Sequence, residues 1–328
     1  MAMLGEKVSD MNKSKIKFFD VGNGDSAIIE LYVKDIDETI NILFDMGNKK
    51  EEVMDYIKDK NKIIHGIVVT HVDSDHICGI KKLLANNTFY NTYNKLKFIV
   101  FNDFNNSLIS YAQGDKLMQL IESKYKNIKV INSYEKDYTD VNSDLDIPIK
   151  FLSIEKRDLY ADLVSKTNDI FVTFLAPAQD DLKRLMTEWE KYRIKKNKGE
   201  ESNARTVEIT NKSSIVCLIE YGEICILMTG DQEINSIKPI LMDKKELWNV
   251  KRINCIKISH HASKENNIGL EEIINEFKCK KAFYMKYMSN ATKKNIADQE
   301  LLDNLKNMEG MKIYTDRNDE IDLEELDE

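Results

Sequence analysis

Short apolar runs separated by polar turns dominate the first part of the chain. Positions 16–19, 26–33, 40–44 and 63–70 have the length and the β-branched content of strands. A second set of runs follows in the other half, at 171–175, 215–220, 224–229, 253–258 and 281–287. Tyr221 and Gly222 separate two of these runs, as in a tight hairpin. The pattern predicts two groups of strands.

Helical patterns interleave with these strands. Apolar residues recur at three- and four-residue spacing at 51–60, 77–84, 116–124 and 181–193. Two polar stretches, 134–146 and 195–212, are typical of surface loops. We therefore expect one α/β domain over 1–328, with a helical and loop insertion around 102–212 and an acidic C-terminal tail at 316–328.

Composition narrows the class of protein. The chain has 328 residues and no run near the roughly 20 apolar residues that a membrane-spanning helix needs. Its N-terminus lacks the apolar core of a signal peptide, and its five cysteines show no paired spacing. We expect a cytoplasmic protein with free thiols and no membrane partner. The net charge of −8 argues against coating nucleic acid through overall attraction, although a local basic groove stays open.

Four potential metal ligands stand in one short loop after the apolar strand that ends at Thr70. They are His71, Asp73, Asp75 and His76. Helix capping explains one carboxylate in such a loop, but it explains two imidazoles and two carboxylates poorly. Their spacing suits a turn that divides its ligands between two adjacent metal ions, as in two-metal hydrolases.

The motif 71–76, followed by Ile77-Cys78-Gly79, resembles the metallo-β-lactamase signature in the variant whose second ligand is Asp. Four further stretches agree in order with the metallo-β-lactamase domain of ComEC, a competence DNA-uptake protein: 19–26, 43–47, 228–231 and 258–264. Residues 211–214 and 313–317 also fit. The resemblance spans about 15–321 and implies an αββα sandwich of two mixed β-sheets flanked by helices.

The resemblance implies the following roles. His71 and Asp73 hold a first metal ion, Asp75 and His76 a second, and Asp231 bridges them. His260 is favoured to complete the second site, with His261 as the alternative. Asp73 or Asp75 also accepts a proton during catalysis, and Asn211, Ser263 and Lys264 are candidates for substrate contact. His65 matches no motif and is interpreted as a surface or packing residue.

The chain departs from the family at two positions. Ala176 stands where the family usually has a histidine ligand of the first metal, and Ala262 where it commonly has glycine. The remaining first-site ligands are rich in oxygen, which favours Mn²⁺ or Mg²⁺ over Zn²⁺. We expect two divalent ions, zinc or manganese, with a weakened first site.

The leading functional hypothesis is a metal-dependent phosphodiesterase, specifically a nuclease with DNA or RNA as substrate. Two other classes stay open. The same fold supports hydrolysis of lactones, thioesters or β-lactams, and fold analogy alone does not separate these reactions. The missing histidine at Ala176 is also consistent with a non-catalytic binding or regulatory protein that keeps an eroded metal site.

Overall fold

The computed structural model describes residues 13–48, 51–102, 113–134, 145–164, 166–199, 207–287, 296–315 and 320–324. Their strands form two sheets of seven strands each. Both sheets mix parallel and antiparallel neighbours.

The first sheet has the order β14-β1-β2-β3-β4-β5-β6. Its strands β3, β4, β5 and β6 run parallel, while β1 is antiparallel to both β2 and β14. The strands are β1 (Lys15–Phe18), β2 (Ala27–Val33), β3 (Glu38–Phe44), β4 (Ile64–Val68), β5 (Asn94–Val100), β6 (Lys129–Ile131) and β14 (Glu320–Asp322).

The second sheet has the order β13-β12-β11-β10-β9-β8-β7. Its strands β10 to β13 run parallel, and β9 is antiparallel to both neighbours. The strands are β7 (Ile149–Leu152), β8 (Ile170–Ala176), β9 (Val216–Tyr221), β10 (Ile224–Met228), β11 (Cys255–Lys257), β12 (Lys281–Tyr284) and β13 (Lys312–Thr315).

Ten α-helices lie within the described residues. They are α1 (Glu51–Asp59), α2 (Ser74–Ala85), α3 (Gln113–Lys124), α4 (Ile154–Leu159), α5 (Ala161–Val164), α6 (Gln179–Asn197), α7 (Val207–Lys212), α8 (Ile234–Trp248), α9 (Leu270–Glu276) and α10 (Gln299–Lys306). Among these residues, no helix combines the length and the apolar character needed to cross a membrane.

Three apolar clusters establish the layers. The central cluster joins inward-facing residues of both sheets, such as Ile29 of β2 and Ile226 of β10. A second cluster packs α1, α2 and α3 on the outer face of the first sheet, and a third packs α8, α9 and α10 on the second. Along β2, Ile29 faces the centre whereas Ile28 faces the helices, the period of two that a sheet covered on both sides requires. The expected αββα sandwich of two mixed sheets flanked by helices is confirmed.

Two segments differ from the sequence interpretation. The expected insertion at 102–212 contributes β6 to one sheet and β7 and β8 to the other, so it is more than a helical and loop addition. Part of the expected acidic tail, Glu320–Asp322, is β14, because its residues pair with β1. Residues 135–144, 200–206, 316–319 and 325–328 of the expected loops and tail lie outside the described residues.

Candidate metal centre

The candidate ligands follow the carboxyl ends of strands that are central in each sheet. The loop 71–76 follows β4 of the first sheet, while Asp231 follows β10 and the His260–His261 pair follows β11 of the second sheet. Parallel strands end at a common edge, where side chains from several segments converge. Both sheets therefore contribute to one site.

The four candidate side chains of 71–76 take different positions: His71 and Asp73 lie in the loop after β4, and Asp75 and His76 lie in the first turn of α2. His71 and His76 are buried, whereas the side chains of Asp73 and Asp75 keep 31% and 18% of their surface exposed. Asp73 occupies the N-cap position of α2, but its side chain makes no capping hydrogen bond. Its Oδ2 lies 3.9 Å from His71 Nε2, and Asp75 Oδ2 lies 3.8 Å from His76 Nε2.

One carboxylate oxygen, Asp231 Oδ2, is the centre of the cluster. Four imidazole Nε2 atoms lie within 4.0 Å of it: those of His76 at 3.4 Å, His260 at 3.8 Å, His261 at 3.9 Å and His71 at 4.0 Å. Asp231 itself is 3% exposed. The structure thus brings together all the sequence-predicted metal ligands from both halves of the chain.

Hydrogen bonds hold the other ring nitrogen, Nδ1, of His71 and His76. The Nδ1 of His76 lies 2.8 Å from Asp45 Oδ2, which only accepts. Thr70 Oγ1 donates to Asp45 Oδ2, so that hydroxyl is an acceptor toward Nδ1 of His71 at 3.2 Å. In the neutral form of His76 the hydrogen is therefore on Nδ1, and Nε2 presents a lone pair to the centre. The Nδ1 of His71 also lies 3.1 Å from the hydroxyl of Ser214, which can donate to it.

His261 follows the same rule. Its Nδ1 lies 3.2 Å from the carbonyl oxygen of Met285 and 3.1 Å from Asp25 Oδ1, both of which are acceptors. Among the described residues, Nε2 of His71, His76 and His261 are buried without a hydrogen-bond partner, as is Oδ1 of Asp231. Buried polar atoms in proteins normally have partners. A divalent cation fits these atoms, because imidazole nitrogens and carboxylates are its usual ligands.

Among the described residues, three groups have metal-binding spacing, with all potential ligand atoms within 4.8 Å of one another. They are His71, His76 and Asp231; Asp75, His76 and His261; and Asp25, Asp45 and His76. His261, rather than the favoured His260, is the histidine that lies with Asp75 and His76.

The His260–His261 pair lies in a strained turn. His260, His261 and Ala262 have φ angles of 44°, 51° and 65°, in the left-handed region that costs a non-glycine residue about 1–2 kcal/mol. His260 remains at the rim, with Nδ1 2.8 Å from Asn266 Oδ1. Adjacent imidazoles can both face Asp231 because the turn departs from extended geometry. Ala262 adopts a conformation for which glycine is better suited, at the position where glycine was expected.

The pKa values reflect this crowding of charges. Burial lowers the pKa of His71 to about 3. Burial also acts to lower the pKa of His76, but Asp231 and Asp45 more than offset it and raise that pKa well above its usual value. Burial acts to raise the pKa of Asp231, yet His76 and His261 hold it well below its usual range. The carboxylate of Asp231 is therefore ionised at neutral pH, as a metal ligand must be.

Sequence reasoning missed the buried partners of the ligands. Asp45 contacts His76 and Thr70, Asp25 contacts His261, and Ser214 Oγ lies 3.1 Å from His71 Nδ1. Asp25 and Asp45 stand inside two of the stretches that carried the family resemblance. Their position next to β2 and β3 was the available signal, since Asp45 directly follows a strand neighbouring β4.

The three candidates for substrate contact differ in their position relative to the histidine cluster. Asn211 Nδ2 lies 3.5 Å from His260 Nε2, beside the cluster. Ser263 donates to Asn266, and Lys264 is exposed and paired with Glu300 at 2.5 Å. Ala176 ends β8 and is buried, without a ligand atom. Two of the three candidates for substrate contact therefore lie beside His260: Asn211 at its Nε2, and Ser263, whose Oγ is 3.4 Å from its Nδ1.

A close backbone approach joins the β1–β2 loop to α2. A Cβ added to Gly24, whose φ is 120°, would lie 1.9 Å from the carbonyl oxygen of Asp75. No side chain fits there. The loop that carries Asp25 therefore packs directly on the backbone of the candidate ligand Asp75.

Residues 17–141 match a family model described as Anti-Pycsar protein Apyc1. This segment, which is less than half of the chain, includes Asp25, Asp45 and the 71–76 loop but ends before Asp231. A comparison with curated proteins finds no match.

Three solved structures are similar over most of this chain. They are a mutant of the CmlA β-hydroxylase (TM-score 0.48, 12% identity, 94% of this chain and 54% of that one), a long form RNase Z from yeast (0.48, 13%, 96% and 42%) and a diphosphatase from the PhnP family (0.46, 9%, 94% and 98%). The chain thus spans only 54% and 42% of the first two proteins.

Proposed function

We propose that this protein is a two-metal hydrolase that cleaves phosphodiesters. The observation that carries the proposal is the set of buried Nε2 atoms, on His71, His76 and His261, that lack hydrogen-bond partners and surround Asp231 Oδ2. All three rings direct Nε2 toward Asp231, and none of these nitrogens has a hydrogen-bond partner. Side-chain packing alone does not explain this arrangement.

The residues divide naturally between two ions. His71 and Asp73 would hold the first ion, Asp75, His76 and His261 the second, and Asp231 would bridge both. Divalent ions in such sites lower the pKa of a water molecule and offset the charge that develops on the attacked group. The first set contains one imidazole and two carboxylates, which favours Mn²⁺ more than Zn²⁺.

The residues of the chain supply the orientation, the proton acceptor and the substrate contact. The buried rings and the Asp45 carboxylate hold their geometry before any substrate binds, so little reorganisation is needed during the reaction. Asp73, the more exposed carboxylate of 71–76, would accept a proton at the mouth of the site. The amide of Asn211 is suited to donate a hydrogen bond to a phosphate oxygen.

The partial match to the Apyc1 model supports a phosphodiester as substrate, because it includes the 71–76 loop. The ordered motifs that resemble the ComEC domain support the same class. The absence of a ligand atom at Ala176 leaves the first ion with fewer protein ligands, so we propose that this ion binds more weakly than the second.

The test combines metal analysis with a substrate panel. Purified protein should bind two equivalents of Mn²⁺ or Zn²⁺ and hydrolyse bis(p-nitrophenyl) phosphate, with cyclic mononucleotides, single-stranded DNA and RNA as further phosphodiesters. A carboxylic ester and a chromogenic β-lactam serve as carbonyl substrates. Asp231→Asn should remove the activity. Turnover of the carbonyl substrates alone, or full activity in Asp231→Asn, would overturn the proposal.

A further inference from the structure

A lysine lies inside the apolar strand that leads to the histidine pair. Lys257 ends β11 between Ile256 and Ile258, and it is only 2% exposed. A buried ammonium group needs charged or hydrogen-bonding partners, because these replace the hydration that the ion loses when it leaves water. Its partners therefore indicate its purpose.

The Lys257 ammonium contacts two other segments of the site. It forms an ion pair with Asp25 Oδ2 at 2.5 Å and donates to the carbonyl oxygen of Gly230 at 2.8 Å. It also lies 3.9 Å from Asp231 Oδ1. One side chain thus links the loop before β2, the turn after β10 and the strand that precedes His261.

The ion pair continues to a candidate metal ligand. Asp25 is 1% exposed, and its second oxygen, Oδ1, lies 3.1 Å from His261 Nδ1. The contacts form a continuous series from Lys257 through Asp25 to His261, whose Nε2 faces Asp75 Oδ2 at 3.6 Å and Asp231. A carboxylate behind a metal-binding histidine fixes the ring, and the ammonium here fixes that carboxylate.

We propose that Lys257 is a positioning residue of the metal centre: through Asp25 it orients the His261 ring, and through the carbonyl of Gly230 it holds the turn that carries Asp231. This inference rests on the proposed function, since it assumes that both residues bind the second ion. It assigns to Lys257 no contact with substrate.

Two effects of removing Lys257 have opposite signs. A cation close to the centre repels a metal ion, so loss of its charge alone would tighten metal binding. Loss of positioning would weaken it, by about 10–100-fold for a group that holds a ligand. The direction of the change in metal affinity therefore distinguishes positioning from a purely electrostatic role.

The experiment measures Mn²⁺ affinity by calorimetric titration, with kcat and KM for bis(p-nitrophenyl) phosphate, in Lys257→Met and Asp25→Asn. Lys281→Met is the matched control, because Lys281 is an equally buried lysine on the neighbouring strand β12 whose Nζ bonds the carbonyl of Asp322 instead. We expect about 10–100-fold weaker binding and a lower kcat in the two test variants, and unchanged affinity in the control.

The double variant Lys257→Met with Asp25→Asn completes the design. It leaves no unpaired buried charge, so it keeps the test valid if Lys257→Met alone does not fold. We expect it to bind metal more weakly than Asp25→Asn alone, because it also loses the bond from Lys257 to the carbonyl oxygen of Gly230. Unchanged or tighter binding in folded Lys257→Met, or in the double variant, would overturn the inference. Metal binding by the parent without phosphodiester turnover would instead contradict the proposed function alone.

Discussion

Buried histidines lie near both ends of β4, and they differ in how many of their ring nitrogens have a partner. At the amino end, both ring nitrogens of His65 have partners: Nδ1 accepts from the backbone N–H of Asn41 at 3.1 Å, and Nε2 lies 3.2 Å from Glu38 Oε1. At the carboxyl end, His71 and His76 have a partner at Nδ1 only.

The comparison shows that burial alone does not identify a ligand. All three rings are at most 3% exposed, and all lie within or beside the same strand. What separates them is whether the second nitrogen is satisfied by the protein. A histidine with both nitrogens bonded stabilises the fold, whereas one with an unpaired inward nitrogen is prepared for a cation.

The largest expected effect comes from the carboxyl end. His76→Ala removes the residue common to all three candidate metal groups. We expect phosphodiesterase activity to fall on the order of 10³-fold or more, as when a component that acts as part of a unit is removed. Initial rates with Mn²⁺ measure this. Activity within tenfold of the parent would show that the ring is structural, like His65.

The histidine pair provides the next test. His261→Ala should lose the second metal ion, whereas His260→Ala should retain both ions, because only the ring of His261 lies in a candidate group. Metal content after dialysis, measured by mass spectrometry, separates them. The opposite pattern would assign the ligand role to His260.

A smaller effect is expected behind the ligands. Asp45→Asn replaces the carboxylate at His76 Nδ1 with an amide of the same size. Metal affinity should fall about 10–100-fold, the usual cost of removing such a partner. Thr70→Val, which loses the hydroxyl between Asp45 and His71, should produce a change in the same direction. Wild-type affinity in both would mean that these partners do not orient the rings.

The smallest effect on activity is expected at the amino end of β4. His65→Ala should leave kcat and metal content unchanged but lower the free energy of unfolding by about 1–3 kcal/mol, because the buried N–H of Asn41 loses its acceptor. Denaturant unfolding at neutral pH measures this loss. A large fall in metal affinity would remove the distinction between the two ends.

The pH dependence of unfolding gives a second test of the contribution of His65 to stability. Burial lowers the pKa of His65, with Glu38 only partly opposing it. The unfolded chain therefore takes up a proton at a higher pH than the folded chain, near the usual value of about 6.5. The contribution of His65 to stability is present above that pH and is lost as the pH falls toward its folded pKa. This slope should be absent in His65→Ala.

The strands were largely predictable because a sheet covered on both faces needs continuous apolar runs. β2, β3, β8, β9 and β10 fall within the expected runs to within a few residues. The pattern did not indicate β5, β6 and β7, in which lysines interrupt or begin short apolar runs (Lys95, Lys97, Lys129 and Lys150). β14 was obscured by its charge: Glu320 is exposed at an edge, where only Ile321 enters the core.

The site was predictable where a motif concentrates ligands in sequence, as at 71–76. The sequence did not indicate roles for Asp25, Asp45 and Lys257. Each is a single polar residue at the end of a strand or beside one, and its role depends on contacts with residues distant in the chain. Lys257 and Asp25 are separated by more than two hundred positions yet form one ion pair. The sequence around each of these two residues does not indicate that they form a pair.

The division of the ligands between the two sheets has a thermodynamic consequence. Loop 71–76 belongs to one half of the sandwich and Asp231 and His261 to the other, so ions at the centre would cross-link the halves. Only the folded chain offers the complete set, and a metal present at a hundred times its dissociation constant adds about 2.7 kcal/mol to stability. The melting temperature should therefore rise with free metal concentration and fall when a chelator is added. It would then report how much of the protein has metal bound at the centre.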